Sequence, residues 1–221
     1  MSDSSPLILL RHGEVASHKG DVPVTPEGLE IAVRTGKAIG AAHTDPITVL
    51  YGGTRRSRET AEAIIEGIAD PSRVDGPIDA FALRNPDIFV SGVRVNMVSS
   101  AAALAEQVPG LTEEQAEQNA FFSTFFYSPD RIAWWLDRPE VPGDTADDLV
   151  RRIQGFARSI ADPGPLQGRL VVGVTHSPLL RSILRDSTGA DPGEPPYVTG
   201  AAISIGTDGE LTVTPHDPLS T

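Results

Sequence analysis

Short uninterrupted apolar runs, rich in branched residues, stand at 7–10, 47–51, 170–175 and 201–205. Such runs suit strands buried on both faces of a partly parallel sheet, because polar alternation is needed only where one face meets water. Between them the pattern is helical. In TPEGLEIAVRTGKAIGAA, Thr25 is placed as N-cap with Pro26 at the first helical position. TRRSRETAEAIIEGI carries apolar residues at Ala61, Ile64, Ile65 and Ile68, which share one helix face. Thr145 predicts a cap for a helix over 146–160, and Ser177-Pro178 is a second start signal. Strands alternating with helices predict an α/β fold: three layers, α/β/α, around a central, mostly parallel sheet.

The alternation fails from about 88 to 141. This stretch reads as a helical cap inserted over the sheet, with Thr112 and Gln115 spaced as a capping box. It holds Phe121, Phe122, Phe125, Phe126, Tyr127, Trp134 and Trp135, 7 of the 12 aromatic residues of the chain. Two readings fit such a cluster: a small satellite core, or a pocket wall selecting an apolar part of a substrate.

Composition narrows the partners. Acidic residues outnumber basic ones 30 to 18, a net charge of −12, which argues against nucleic acid or an anionic membrane. Of the 18 basic residues only Lys19 and Lys37 are lysines. The arginine bias suits forked phosphate or carboxylate contacts, and high-GC codon usage would produce it equally. The absence of cysteine excludes a disulfide framework, a thiolate nucleophile and a Cys-ligated metal. MSDSSP shows no signal-peptide pattern, and no apolar run approaches the roughly 18 residues that span a bilayer. The expectation is a cytoplasmic protein.

The chemistry gathers where strands end. The first predicted strand runs into Arg11-His12-Gly13-Glu14, the second into Gly52-Gly53-Thr54-Arg55-Arg56, and the third into Thr175-His176-Ser177. In open α/β sheets ligands bind beyond the carboxyl ends of the strands, and helix N-termini there favour anions. Two histidines and several arginines are thus directed to one rim. Paired histidines also suit a metal. Arginines beside both of them disfavour a cation, and no carboxylate pair stands at ligand spacing, so neither metal nor cofactor is expected. Phosphate, a dianion that forked donors can hold, fits better, and a neutral imidazole can attack phosphorus.

LILLRHGE, DVPVTPEGLEIA, RSRETAEAI and VVGVTHSPLLR resemble, in order, the signature segments of the histidine phosphatase superfamily, which includes the cofactor-dependent phosphoglycerate mutases. The resemblance covers most of the chain and implies one domain, 1–221, with the insertion at about 88–141. It implies that His12 is the nucleophile and that Arg11, Arg56 and His176 hold the phosphoryl oxygens, with Gly13, Glu14, Asn85 and Ser177 binding phosphate or substrate. Arg56, rather than Arg55 or Arg58, takes the family position.

Two departures stand out. Where the mutases carry Trp-Asn, this chain reads Val15-Ala16-Ser17-His18; His18 then contacts phosphate or lies on the surface. At the position of the family's general acid stands Asn85, and an amide cannot protonate a leaving alkoxide. Asp87 is the nearest substitute, with Glu106 and Glu14 behind it. The resemblance implies a metal-independent phosphomonoesterase acting on a small phosphorylated metabolite through phosphohistidine, with a homodimer left open. The alternatives are a phosphoglycerate-type mutase, disfavoured by the missing Trp-Asn pair, and a catalytically weak phospho-ligand-binding protein, favoured by Asn85.

Overall fold

The apolar runs form the middle of a six-stranded sheet. In the computed structural model, which describes residues 7–17, 20–206 and 209–220, the strands are β1 (Leu7–Arg11), β2 (Ile47–Tyr51), β3 (Val74–Asp79), β4 (Ile88–Val90), β5 (Val93–Val95), β6 (Leu170–Thr175), β7 (Gly200–Ile205) and β8 (Leu211–His216). The sheet order is β3-β2-β6-β1-β7-β8. β3, β2, β6 and β1 run parallel, and β7 and β8 complete the sheet antiparallel to their predecessors.

Alternate residues of each central strand serve opposite layers. Leu7 and Leu9 join Val171 in one core, and Ile8 and Leu10 join Val172 and Val174 in the other. The second core is closed by α1 (Pro26–Ala42) and α2 (Arg55–Gly67). The first receives the insertion, with its short helices α3 (Ala101–Ala105), α4 (Glu113–Glu117), α5 (Phe122–Phe125) and α6 (Arg131–Leu136), then α7 (Ala146–Ile160) and α8 (Ser177–Thr188). Thr25, Thr112 and Thr145 cap their helices through their side chains. Ser177 is the first helical residue of α8, and His176 occupies the cap position.

The structure adds to the expected elements and alters the reading of the insertion. β3 (VDGPID) and β8 (LTVTPH) are half-exposed edge strands, and such strands show no continuous apolar run. The insertion opens with a hairpin, β4 against β5, turning at Ser91-Gly92, which both have positive φ, as a two-residue primed turn requires. Nor is the aromatic cluster a satellite: Phe122, Phe125 and Trp135 are buried in the same core as Leu7, Leu9 and Leu179. Gly143 fits where the insertion returns, because its φ is +151° and a Cβ would lie 1.9 Å from the Asp87 carbonyl oxygen. Among the described residues no helix is long and apolar enough to cross a membrane.

Candidate active site

The C-terminal ends of β2, β6 and β1 lie side by side, and backbone hydrogen bonds hold the residues just beyond them. His12 N–H donates to Thr175 O (3.0 Å), and Gly52 N–H donates to Val174 O (3.0 Å). Gly52 has no room for a side chain, since a Cβ would lie 2.1 Å from the Leu83 carbonyl oxygen. The same carbonyl accepts a 2.7 Å bond from Thr175 Oγ1. Chain topology thus brings Arg11, His12 and His176 to one rim, and α2 brings Arg56 there.

The tautomer of His12 follows from its partners. Its Nδ1 lies 2.8 Å from the Gly13 carbonyl oxygen, which can only accept, so Nδ1 carries the proton. Arg56 Nε–H donates to His12 Nε2 at 3.1 Å, so Nε2 presents its lone pair. Burial, then the charges of His176, Arg56 and Arg11, lower the His12 pKa to about 2, and the ring is neutral near pH 7. His176 donates through Nε2 to the Gly52 carbonyl (3.2 Å); burial, then Arg56 and Arg11, lower its pKa to about 3. Its Nδ1 is buried without a partner, and so is Nε of Arg11. The two imidazole centroids are 5.4 Å apart. Buried polar atoms left unmatched carry a free-energy cost, which an anionic ligand between them would relieve.

The rest of Arg11 is fixed. Nη1 donates to the Pro195 carbonyl (2.7 Å), Nη2 pairs with Glu194 Oε1 (2.7 Å), and the guanidinium lies 4.1 Å over the Tyr197 ring. Glu194 also accepts from Ser177 Oγ (2.5 Å) and lies 3.5 Å from Arg181 Nη1. Arg181, 1% exposed, ties this loop to the insertion through Asp191 and Asp130. Glu194 and Tyr197 escaped the sequence reading. The available signal was their place before β7, whose antiparallel course brings its N-terminal end beside the C-terminal end of β1 (Leu10 against Gly200).

These groups open onto a cavity of about 600 Å³. Of the residues expected from sequence, Arg11, His12, Arg56, His176, Ser177, Asn85 and Glu106 line it. Gly13, Glu14 and Asp87 are not in its wall. Gly13 N–H is used by Thr60 Oγ1 (2.8 Å), and Glu14 accepts from the Thr25 hydroxyl (3.5 Å). His18 lies outside the described residues. Arg55 and Arg58 pair with Glu59 and Glu62, one turn along α2.

Asp87 is occupied by arginines. Its carboxylate takes Nε and Nη2 of Arg84 (3.1 and 2.6 Å) and Nε of Arg94. Desolvation acts to raise its pKa, but the hydrogen bonds from Arg84 and Arg94 outweigh it, and the net shift is downward. Both arginines line the cavity, as do Asp21, Asp79 and Phe81. None of the seven clustered aromatics of the insertion does; six of them pack in or against the core, and Tyr127 is exposed. Among the described residues no group of three or more His, Asp or Glu side chains is placed to hold a metal ion.

Residues 7–77 match the family model of the histidine phosphatase superfamily, branch 1. No curated protein matches the chain in sequence. Among solved structures, "Mycobacterial hydrolase 1" shares the fold with a TM-score of 0.61 at 18% identity, over 96% of both chains. A mycobacterial glucosyl-3-phosphoglycerate phosphatase does so with a TM-score of 0.58 at 17% identity, over 95% of both chains. Its complex with inorganic phosphate gives 0.59 at 17%, over 96% of this chain and 95% of that one. Residues 7–77 thus resemble the histidine phosphatase superfamily, and along nearly its whole length the chain shares the fold of these solved structures.

Proposed function

We propose that the protein is a metal-independent phosphomonoesterase that hydrolyses a small phosphorylated metabolite through a phosphohistidine at Nε2 of His12. One observation carries the reading: a neutral imidazole whose lone pair is on Nε2 faces a corner where Arg11 Nε and His176 Nδ1 are buried and unmatched. The fold shared with a phosphatase that binds inorganic phosphate supports it. The chain is read as one catalytic domain, with the 88–141 insertion forming part of the cavity wall.

In the first step Nε2 attacks phosphorus and the ester P–O bond breaks. Arg56 turns from Nε2 to the incoming phosphoryl oxygens, and Arg11 adds its Nε–H. A dianion beside His176 opposes the burial penalty on its charged form, so Nδ1 takes up a proton and donates as well. Donors already in place where charge develops supply much of the stabilisation in such transfers. In the second step water attacks the phosphohistidine, the P–N bond breaks, and phosphate leaves.

The leaving alkoxide needs a proton. A carboxylate held charged by two guanidinium groups donates poorly, so this role passes from Asp87 to two carboxylates of the cavity wall, Glu106 and Asp79, since Asp21 accepts from the Arg55 N–H and Glu194 pairs with Arg11. Rapid quenching in alkaline detergent during turnover of an aryl phosphate should trap an alkali-stable, acid-labile phosphoenzyme in the wild type and none in His12→Ala. Undiminished turnover by His12→Ala, or activity lost in chelator and restored by a divalent ion, would overturn the reading.

A further inference from the structure

A phosphoryl group fills only part of the 600 Å³ cavity, and the remaining wall has a defined chemistry. Of the large apolar side chains left exposed among the described residues (Ile78, Phe81, Phe89, Tyr127 and Leu219), only Phe81 lines the cavity. It is 75% exposed, yet it heads a 3-10 turn, Phe81–Leu83, whose last residue is fully buried and hydrogen-bonded to Thr175 in the floor of the site. Its ring is backed on one face by the Arg84 guanidinium, 3.6 Å from the centroid. Arg84 in turn donates to the Phe81 carbonyl (2.8 Å) and is gripped by Asp87. An aromatic ring is thus held in one orientation in a binding cavity while most of its surface meets water.

The groups around it are suited to hydroxyls. Asn85 and Asn96 line the same cavity, and an amide offers donors and an acceptor without charge. The backbone of Asn96 is fixed by Gln107, whose Oε1 accepts its N–H (2.8 Å) and whose Nε2 donates to its carbonyl (3.5 Å). The Glu106 and Asp79 carboxylates on this wall oppose a second anionic group. Arg84 and Arg94 do not reverse this, because both spend donors on Asp87.

We propose that Phe81, braced by Arg84 and Asp87, is the platform on which the alcohol portion of the substrate stacks. That portion is an uncharged hydroxylated ring, as in a sugar or cyclitol phosphate, its C–H face on Phe81 and its hydroxyls on Asn85 and Asn96. The proposal rests on the phosphomonoesterase reading and names its substrate class.

The test compares glucose 6-phosphate with glycerol 3-phosphate on the wild type, Phe81→Ala and Phe81→Trp, with the thermal midpoint checked for each. The wild type should prefer the ring ester. Phe81→Ala should lose roughly three- to tenfold in kcat/KM for it, the range of one aromatic contact, and less than about twofold for the linear ester. Phe81→Trp should keep the preference. Equal losses on both esters, or a wild type that prefers the linear one, overturn the platform while leaving the phosphatase intact. If the wild type hydrolyses neither ester nor an aryl phosphate, the phosphatase reading falls instead. Calorimetric titration of the same unhydrolysed esters then decides the platform: tighter binding of glucose 6-phosphate that Phe81→Ala removes supports it, and equal affinities overturn it.

Discussion

Arg56 Nε lies 3.1 Å from His12 Nε2, and this contact fixes both the tautomer of the histidine and the place of the arginine. Arg55 and Arg58, its neighbours on α2, point to Glu59 and Glu62 instead. Replacing Arg56 by Ala should lower kcat/KM by about 10²–10³, the usual effect of removing one donor to developing charge. Arg55→Ala and Arg58→Ala should stay within about twofold, since exposed ion pairs contribute little. Equal losses at all three positions would mean a diffuse cationic rim.

Both site histidines are held neutral, and stability must register this. Burial and neighbouring cations bring the His12 pKa to about 2 and that of His176 to about 3, against an ordinary value of 6.5. As pH falls from 6.5 towards 3, the unfolded chain binds protons that the folded one refuses, so stability declines across that window. His216, lowered by desolvation, adds in the same direction. Asp130 and Asp191, held low by Arg181, withdraw stability only around and below the ordinary carboxylate value of 3.8. The melting temperature should therefore drop between pH 6.5 and 5, and drop less steeply in His12→Asn. A flat profile in the wild type would contradict the neutral assignment.

Asp87 and the cavity carboxylates separate by leaving group. General acid catalysis typically contributes about 10²–10⁴-fold, and only where the departing oxygen is strongly basic. Glu106→Gln or Asp79→Asn, whichever removes the donor, should slow an alkyl phosphate by that order and barely affect an aryl phosphate with a weakly basic leaving group. Asp87→Asn should slow both alike, because it loosens Arg84 and Arg94. An alkyl-selective loss at Asp87 would return the acid's role to it.

Glu194 permits a contrast of charge and geometry. Glutamine keeps an acceptor for Arg11 while removing a negative charge from the cavity, so Glu194→Gln should bind inorganic phosphate as tightly as the wild type, or more tightly. Alanine removes the acceptor and frees Arg11, so Glu194→Ala should raise KM roughly three- to tenfold, about one ordinary hydrogen bond's worth, with little change in kcat. If both variants only melt earlier, Glu194 serves stability alone.

The α/β architecture and the group Arg11, His12, Arg56 and His176 were legible in the sequence because local signals sufficed. Each of the first, second and fourth directly ends or follows a continuous apolar strand, neighbouring parallel strands must end on one rim, and Arg56, in the first turn of a capped helix, was distinguished from Arg55 and Arg58 by the family resemblance. Edge strands β3 and β8 were missed because half-exposed strands carry no such run. The partners of Asp87, the bridge from Glu194 to Arg11 and the exposed face of Phe81 were decided only by tertiary structure. Asp87 lies two positions from the family's acid site, yet Arg94, across the hairpin, and Arg84 claim its carboxylate. Glu194 lies 183 residues from Arg11 and meets it through the antiparallel pairing of β7 with β1. Phe122, Phe125 and Trp135 of the insertion turn inward while Phe81, outside it, lines the cavity. Strand order and apolar periodicity are written in neighbouring residues, whereas ion pairs and cavity walls depend on distances that exist only once the chain has closed.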